Sequence, residues 1–192
     1  SFNPNVPGKP TDTKELKKFK KMNGVKQGDY INKLWRNPMI SDTYEPGSTF
    51  KLLVSSAMLE EGLATPETTF YCGDVNDVDG IGFHCAENKS HGTLTLREAV
   101  GVSCNKAHIQ MGQKLGRDKF YQYMGLFGID SPTGVDMPAE AQPQIKNKDK
   151  MTNVDFATMA FGQGVAISPI QLITAIGAIG NNGVMMQPHI VK

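Results

Sequence analysis

The sequence predicts a mostly α fold, and three observations carry that expectation. Phe50, Leu52, Leu53, Val54, Ala57, Met58 and Leu59 crowd one run that Gly62 ends. Helical patterns recur near 96–100, 106–115 and 118–127, interrupted at Gly101 and Gly116. Ser168-Pro169 is a cap followed by a first-turn proline, after which Ile170, Leu172, Ile173, Ala175, Ile176 and Ile179 precede Gly180-Asn181-Asn182-Gly183. At 192 residues, 39% hydrophobic and 20% charged, the composition is that of one globular unit able to bury a core.

Taken in order, residues 1–47 read as an irregular lead-in, because Pro4, Pro7, Pro10, Pro38 and Pro46 interrupt every pattern except a short helix over Lys14–Met22. The five lysines of that stretch read as a solvated face. Residues 48–61 form the apolar helix. Thr65–Gly92 reads as a long polar connection carrying Cys72, Asp74, Asp77, Asp79, His84, Cys85 and His91. Asp77-x-Asp79-Gly80 resembles part of a calcium loop, but Val75 and Ala86 stand where two ligands belong, so no calcium site is expected. Cys72, Cys85, His84 and His91 are zinc-type ligands at spacings that match no compact zinc module, and no metal is expected there either. A Cys72–Cys85 disulfide in an oxidising environment is the preferred reading. Thr95 is a cap for the helix that carries Leu96, Ala99 and Val100. Residues 128–153 read as loop, and the helix near 169–179, apolar on most sides, is expected to be buried. Gly162-Gln163-Gly164 has Ile167 at the third glycine position of a dinucleotide fingerprint and no strand before it, which removes that reading and leaves no cofactor expected.

Charge and cysteine content exclude several function classes. Lys plus Arg is 20 against 19 for Asp plus Glu, so no global field recruits nucleic acid or an anionic membrane. No run of 18 apolar residues and no signal sequence occurs, so any targeting or membrane segment is expected outside these residues. Three cysteines without a C-x-x-C spacing argue against a disulfide scaffold or a redox motif.

Two short motifs carry chemistry. Pro46-Gly47 is a turn, and Ser48 at the start of the apolar helix lies one turn from Lys51 on the same face. A serine hydroxyl needs a neighbour to take its proton, and a neutral lysine can do so. Lowering an amine from about 10.4 to about 7 costs roughly 4 to 5 kcal/mol, which burial and cationic neighbours supply. The alternative for Ser48 and Lys51 is a capping serine with a solvated lysine. Some fifty residues on, Ser103-Cys104-Asn105 lies between helices, where helix capping is the alternative.

S-x-x-K followed by S-x-N is the motif pair of penicillin-binding proteins and class A β-lactamases. The surrounding residues resemble class B penicillin-binding proteins over essentially the whole chain: Phe2-Asn3-Pro4-Asn5, Tyr44 to Lys51, His91-Gly92, Ser103-Cys104-Asn105, Gly162-Gln163-Gly164, Ser168 to Leu172, and Asn181-Asn182-Gly183 through Pro188-His189-Ile190-Val191. Within that family the sequence is most similar to Gram-positive cell-division or sporulation transpeptidases. The resemblance implies a fold class: the helical subdomain and nucleophile helix of the α/β transpeptidase fold, with most of the central sheet missing from these residues. It divides residues 1–192, an incomplete transpeptidase domain, into the lead-in 1–47, the nucleophile helix 48–61, and a helical subdomain over 62–192 with the buried helix near 169–179.

The resemblance also implies roles. Ser48 acylates on the penultimate D-Ala carbonyl of a peptidoglycan stem peptide, Lys51 is the base, Ser103 relays a proton toward the leaving group, and the Asn105 amide holds substrate backbone and steadies Lys51. Cys104 is expected to point away and to serve packing alone. The implied partners are stem peptides, β-lactams and cell-wall synthesis proteins, outside the cytoplasmic membrane, with a tether beyond these residues. The family's Lys-Thr-Gly or Lys-Ser-Gly triplet occurs nowhere, and Lys192 ends the chain before its place. The expectations are therefore a weak catalyst when alone, since loss of one oxyanion donor costs about 2.7 to 4 kcal/mol, and exposed apolar surface where the sheet packs. The competing readings are a serine β-lactamase or β-lactam sensor, which lacks a glutamate motif here, and a catalytically silent scaffold in a wall-synthesis complex. A redox bond between Cys72 and Cys85 at the cleft mouth is a further expectation.

Overall fold

The structure is a computed structural model that describes residues 3, 5–73 and 76–190; Phe2, Pro4, Asp74, Val75, Val191 and Lys192, which the sequence reading used, lie outside the described residues. Its lead-in is more regular than expected. Asp12 caps α1 (Thr13–Lys20) by accepting the Lys14 and Glu15 amides, and Asn23 caps α2 (Gly24–Trp35) through the Lys26 amide. A single turn, α3 (Pro38–Ser41), follows. α1 is the short helix read over Lys14–Met22, whereas α2 and α3 fall where no element was expected; no residue of α1 or α2 is buried.

Gly47–Phe50 forms a 3-10 turn that runs directly into α4 (Lys51–Glu60). The α-helix thus begins at Lys51 and not at the expected residue 48, with Ser48 in the tighter turn. Lys51, Leu53, Val54, Ser55, Ala57 and Met58 are buried along α4.

The expected polar connection is instead strand-rich. It holds β1 (Thr69–Cys72), β2 (Asn76–Val78), β3 (Ile81–Phe83) and β4 (Gly92–Thr95), and β1 pairs antiparallel with β4 so that Cys72 faces Gly92. Asp79 and Gly80, both at positive φ, make the two-residue turn of the β2–β3 hairpin, and the Asp77 carboxylate accepts the Gly80 amide. Those acids serve a turn.

Thr95 and Glu98 form a reciprocal cap at the start of α5 (Leu96–Gly101). Next come α6 (Asn105–Leu115) and α7 (Arg117–Leu126), joined by Gly116 at φ +79°. A short pair, β5 (Gln144–Ile145) with β6 (Val165–Ala166), brackets α8 (Asn153–Met159), a helix for which the sequence reading offered no element. Ser168 and Gln171 cap α9 (Pro169–Gly180) at the predicted position.

The core lies between α4, α6, α7 and α8. Phe50 meets Phe120 at 6.2 Å between ring centroids, and Phe120 meets Phe156 edge-on at 5.2 Å, beside Met58, Met111 and Met159. The expectation that α9 is buried holds for one face only: Leu172, Ala175 and Ala178 are inside, while Ile173 is 61% exposed. Leu52, Leu59 and Ile179 are also exposed, so α4 and α9 both present apolar side chains outward. Among the described residues no helix is long and apolar enough to cross a membrane.

Candidate active site

The four predicted site residues converge. Lys51 Nζ lies 3.2 Å from Ser48 Oγ, 2.9 Å from Ser103 Oγ, 2.6 Å from the Ser103 carbonyl oxygen and 2.6 Å from Asn105 Oδ1. The local fold explains the meeting. Lys51 lies three positions after Ser48 across the junction of a 3-10 turn and an α-helix, which stacks them on one face. Ser103 sits at φ +54°, a left-handed conformation that a serine adopts at a cost of about 1 to 3 kcal/mol, and this turns both its carbonyl and its hydroxyl to Lys51. Asn105 opens α6, and its Nδ2 donates to the His84 carbonyl at 3.0 Å, which fixes Oδ1 as the atom facing the amine.

This environment bears directly on proton transfer. Lys51 is 2% exposed, and burial pulls its amine down from its ordinary value to about 8, against a smaller upward pull from Cys104 and Cys85. That displacement corresponds to roughly 3 kcal/mol against the charged form. A neutral amine has two N–H groups and one lone pair. The two nearest acceptors, Ser103 O and Asn105 Oδ1, are carbonyl oxygens that cannot donate, so they take the N–H groups and leave the lone pair to accept from one hydroxyl at a time, that of Ser48 or that of Ser103.

A buried layer below supports the Ser103–Asn105 turn. His108 is fully buried; its Nδ1 donates to the Cys104 carbonyl at 2.7 Å, so Nε2 accepts from the Ser55 hydroxyl at 3.1 Å. Burial lowers the imidazole to about 4, which keeps it neutral in this role. Sequence reading missed Ser55 and His108. The spacing of Ser55 four residues after Lys51 was the available signal, since it places both on one face of α4.

The far side of the Ser48 turn is held by the 162–167 loop. Gly47 N donates to Gly162 O at 2.9 Å, Tyr44 and Ile167 exchange backbone bonds at 3.0 and 3.1 Å, and Glu45 Oε1 accepts the Gly164 amide at 2.8 Å. Gly162 itself, at φ +84°, packs so tightly that an added Cβ would collide with the Gly47 carbonyl. The Gly-Gln-Gly segment therefore braces the Ser48 turn.

The cysteines depart from expectation. Cys72 and Cys85 are free thiols with sulfurs 3.7 Å apart. Cys104 does point away from Lys51, but into those thiols: its sulfur lies 3.6 Å from Cys85 Sγ and accepts the Ala107 amide at 3.4 Å. Cys72 Sγ is 3.3 Å from His91 Nδ1. His84 takes no part in this group and contributes its carbonyl to Asn105. Burial and the neighbouring thiols push Cys104 up to about 12; burial also acts to raise Cys85, but the Lys106 and Asn105 backbone amides and the other thiols lower it on balance.

Comparison with known proteins identifies the family. The family model described as penicillin binding protein transpeptidase domain matches residues 7–192. Stage V sporulation protein D of Bacillus subtilis is 37% identical over 158 residues, covering 82% of this chain and 24% of the relative. Peptidoglycan D,D-transpeptidase MrdA of Salmonella typhimurium is 30% identical over 166 residues, covering 81% of this chain and 27% of the relative. Among solved structures, penicillin binding protein 3 of Mycobacterium tuberculosis complexed with ampicillin superposes with a TM-score of 0.78 at 30% identity, covering 89% of this chain and 37% of that one. The chain thus spans about a quarter of the length of these curated relatives. With the family model matching nearly every residue and the same fold in its solved neighbours, the chain belongs to the penicillin-binding protein transpeptidase-domain family.

Proposed function

We propose that these residues carry the acyl-transfer centre of a peptidoglycan D,D-transpeptidase, with Ser48 as nucleophile and Lys51 as its base. The observation that carries the reading is the buried Lys51 amine, 3.2 Å from Ser48 Oγ, with its N–H groups drawn to Ser103 O and Asn105 Oδ1. Lys51 takes the Ser48 proton as Oγ attacks the penultimate D-Ala carbonyl of a stem peptide. Ser103, whose hydroxyl also reaches Lys51 at 2.9 Å, returns a proton to the departing amine of the terminal D-Ala. An amine of a neighbouring stem peptide then attacks the ester, which forms the cross-link and frees Ser48. Asn105 orients Lys51 and donates to substrate backbone. A β-lactam enters the same path at the first step. The activity belongs outside the cytoplasmic membrane, where peptidoglycan is cross-linked, alongside other wall-synthesis proteins; the name of a similar protein, a peptidoglycan D,D-transpeptidase, supports the substrate class.

The 192 residues contain no Lys-Thr-Gly or Lys-Ser-Gly triplet. A chimera that adds a family strand bearing the triplet should acylate about 10²- to 10³-fold faster than these residues alone, the usual effect of one further oxyanion donor. Intact-mass spectrometry with benzylpenicillin tests both points. The expected result is one persistent adduct on the chimera that maps to the Ser48 peptide and is absent from Ser48→Ala. An adduct that Ser48→Ala retains contradicts the assignment. Rapid turnover of penicillin without a persistent adduct favours a β-lactamase, and no reaction by the folded chimera favours a silent scaffold.

A further inference from the structure

We propose that Cys72, Cys85, Cys104 and His91 form a binding site for a thiolate-preferring divalent cation, zinc above all. Their ligand atoms, three Sγ and the imidazole nitrogen, all lie within 4.8 Å of one another, and Cys72, Cys85 and Cys104 are buried. A tetrahedral zinc with Zn–S near 2.3 Å and Zn–N near 2.05 Å requires S···S separations of about 3.8 Å and S···N separations of about 3.6 Å. The measured contacts are 3.7 Å for Cys72 to Cys85, 3.6 Å for Cys85 to Cys104, and 3.3 Å for Cys72 Sγ to His91 Nδ1. A disulfide engages two sulfurs and leaves the third thiol and the imidazole unexplained. One cation uses all four, and three sulfurs with one nitrogen is a recognised closed zinc set.

The fold assembles the set from four separate places. Cys72 ends β1, His91 immediately precedes β4, and the β1–β4 pairing brings them together, with the His91 amide donating to the Cys72 carbonyl at 3.2 Å. Ser90 Oγ donates to the same carbonyl at 2.7 Å. Cys85 follows the β2–β3 hairpin, and Cys104 caps α6, with the Ala107 amide aimed at its sulfur. Outer bonds of this kind orient ligands in metal sites. Because Cys104 lies between Ser103 and Asn105, a cation here ties the strand pair and the start of α6 to the turn that grips Lys51. Cys104 is then a positioning residue.

The test is metal content and ligand-field spectroscopy on the 192-residue chain, purified reduced and without chelator, with folding checked by circular dichroism. Native mass spectrometry and elemental analysis should give one zinc per chain. Replacement by Co(II) should give the intense d–d bands of a tetrahedral ion together with thiolate-to-metal charge transfer. His91→Gln, which leaves the three buried thiols in place, should lower zinc affinity at least about tenfold and alter the cobalt bands. A folded, reduced chain that takes up no zinc or cobalt at micromolar free metal overturns the proposal. So does one equivalent of zinc bound with unchanged affinity by His91→Gln and by Cys104→Ser. None of these readouts depends on acylation, so the metal site and the transpeptidase reading stand or fall separately.

Discussion

Lys51→Arg, on the acylating chimera, should slow modification of Ser48 by benzylpenicillin about 10²- to 10⁴-fold, the usual contribution of a positioned general base. The variant is chosen because guanidinium keeps the positive charge and the N–H donors for Ser103 O and Asn105 Oδ1 yet cannot give up a proton near neutral pH. Lysine at this position can, because burial draws its amine to about 8. A purely electrostatic or structural role for Lys51 would survive the exchange better than a basic one. Stopped-time mass spectrometry gives the rate constants, and circular dichroism checks that the larger side chain is accommodated. A loss smaller than about fivefold in a folded variant would remove Lys51 as base.

Gly162→Ala should destabilise the chain by about 3 kcal/mol and disturb the turn that carries Ser48. Two effects add. At φ +84° any side chain is strained, and here the new Cβ meets the Gly47 carbonyl and the Cβ of Phe50. Gly47 is also bound to Gly162 through its amide, so relief requires moving the residue immediately before Ser48. Gly164→Ala serves as comparison: its φ is +73°, but its added Cβ meets only Thr158 Oγ1 at 3.4 Å and Met159 Cγ at 3.8 Å, so it should carry the conformational cost without the collision. Urea denaturation of the two variants measures the difference. Equal losses would show that the contact with Gly47 contributes nothing beyond backbone strain.

The site was legible to different depths. Ser48 and Lys51 could be read because a three-residue spacing at the start of a helix fixes their relative position within a few ångströms, whatever the remaining fold. Ser103 and Asn105 gained meaning only as the partner motif, since their approach to Lys51 depends on α4 packing against α6 and on a left-handed Ser103. Caps were legible: Thr95 and Ser168 start α5 and α9 as predicted, because a cap is a local bond. The Asp79-Gly80 pair carried a two-residue hairpin signal, but strands of only three residues leave too little alternation to stand out from a polar connection. The thiol group was hidden for a different reason. Cys72, Cys85, His91 and Cys104 meet through strand pairing and the start of α6, so no linear spacing encodes the set, and Cys104 was assigned to packing alone. The brace made by Gly162 is likewise a contact between segments more than a hundred residues apart, and only the fold supplies it.

The pH dependence of Ser48 acylation tests most directly the claim that a neutral Lys51 is the base. The second-order rate constant for benzylpenicillin, measured by mass spectrometry on the chimera, should rise about tenfold per pH unit below the amine's titration. It should bend near pH 8 and level off above it, because burial lowers the folded amine to that value and only the unprotonated form accepts the Ser48 proton. In Lys51→Arg that bend should vanish. A wild-type profile that is flat from pH 6 to 10, or a bend near pH 8 that persists in Lys51→Arg, would contradict the account.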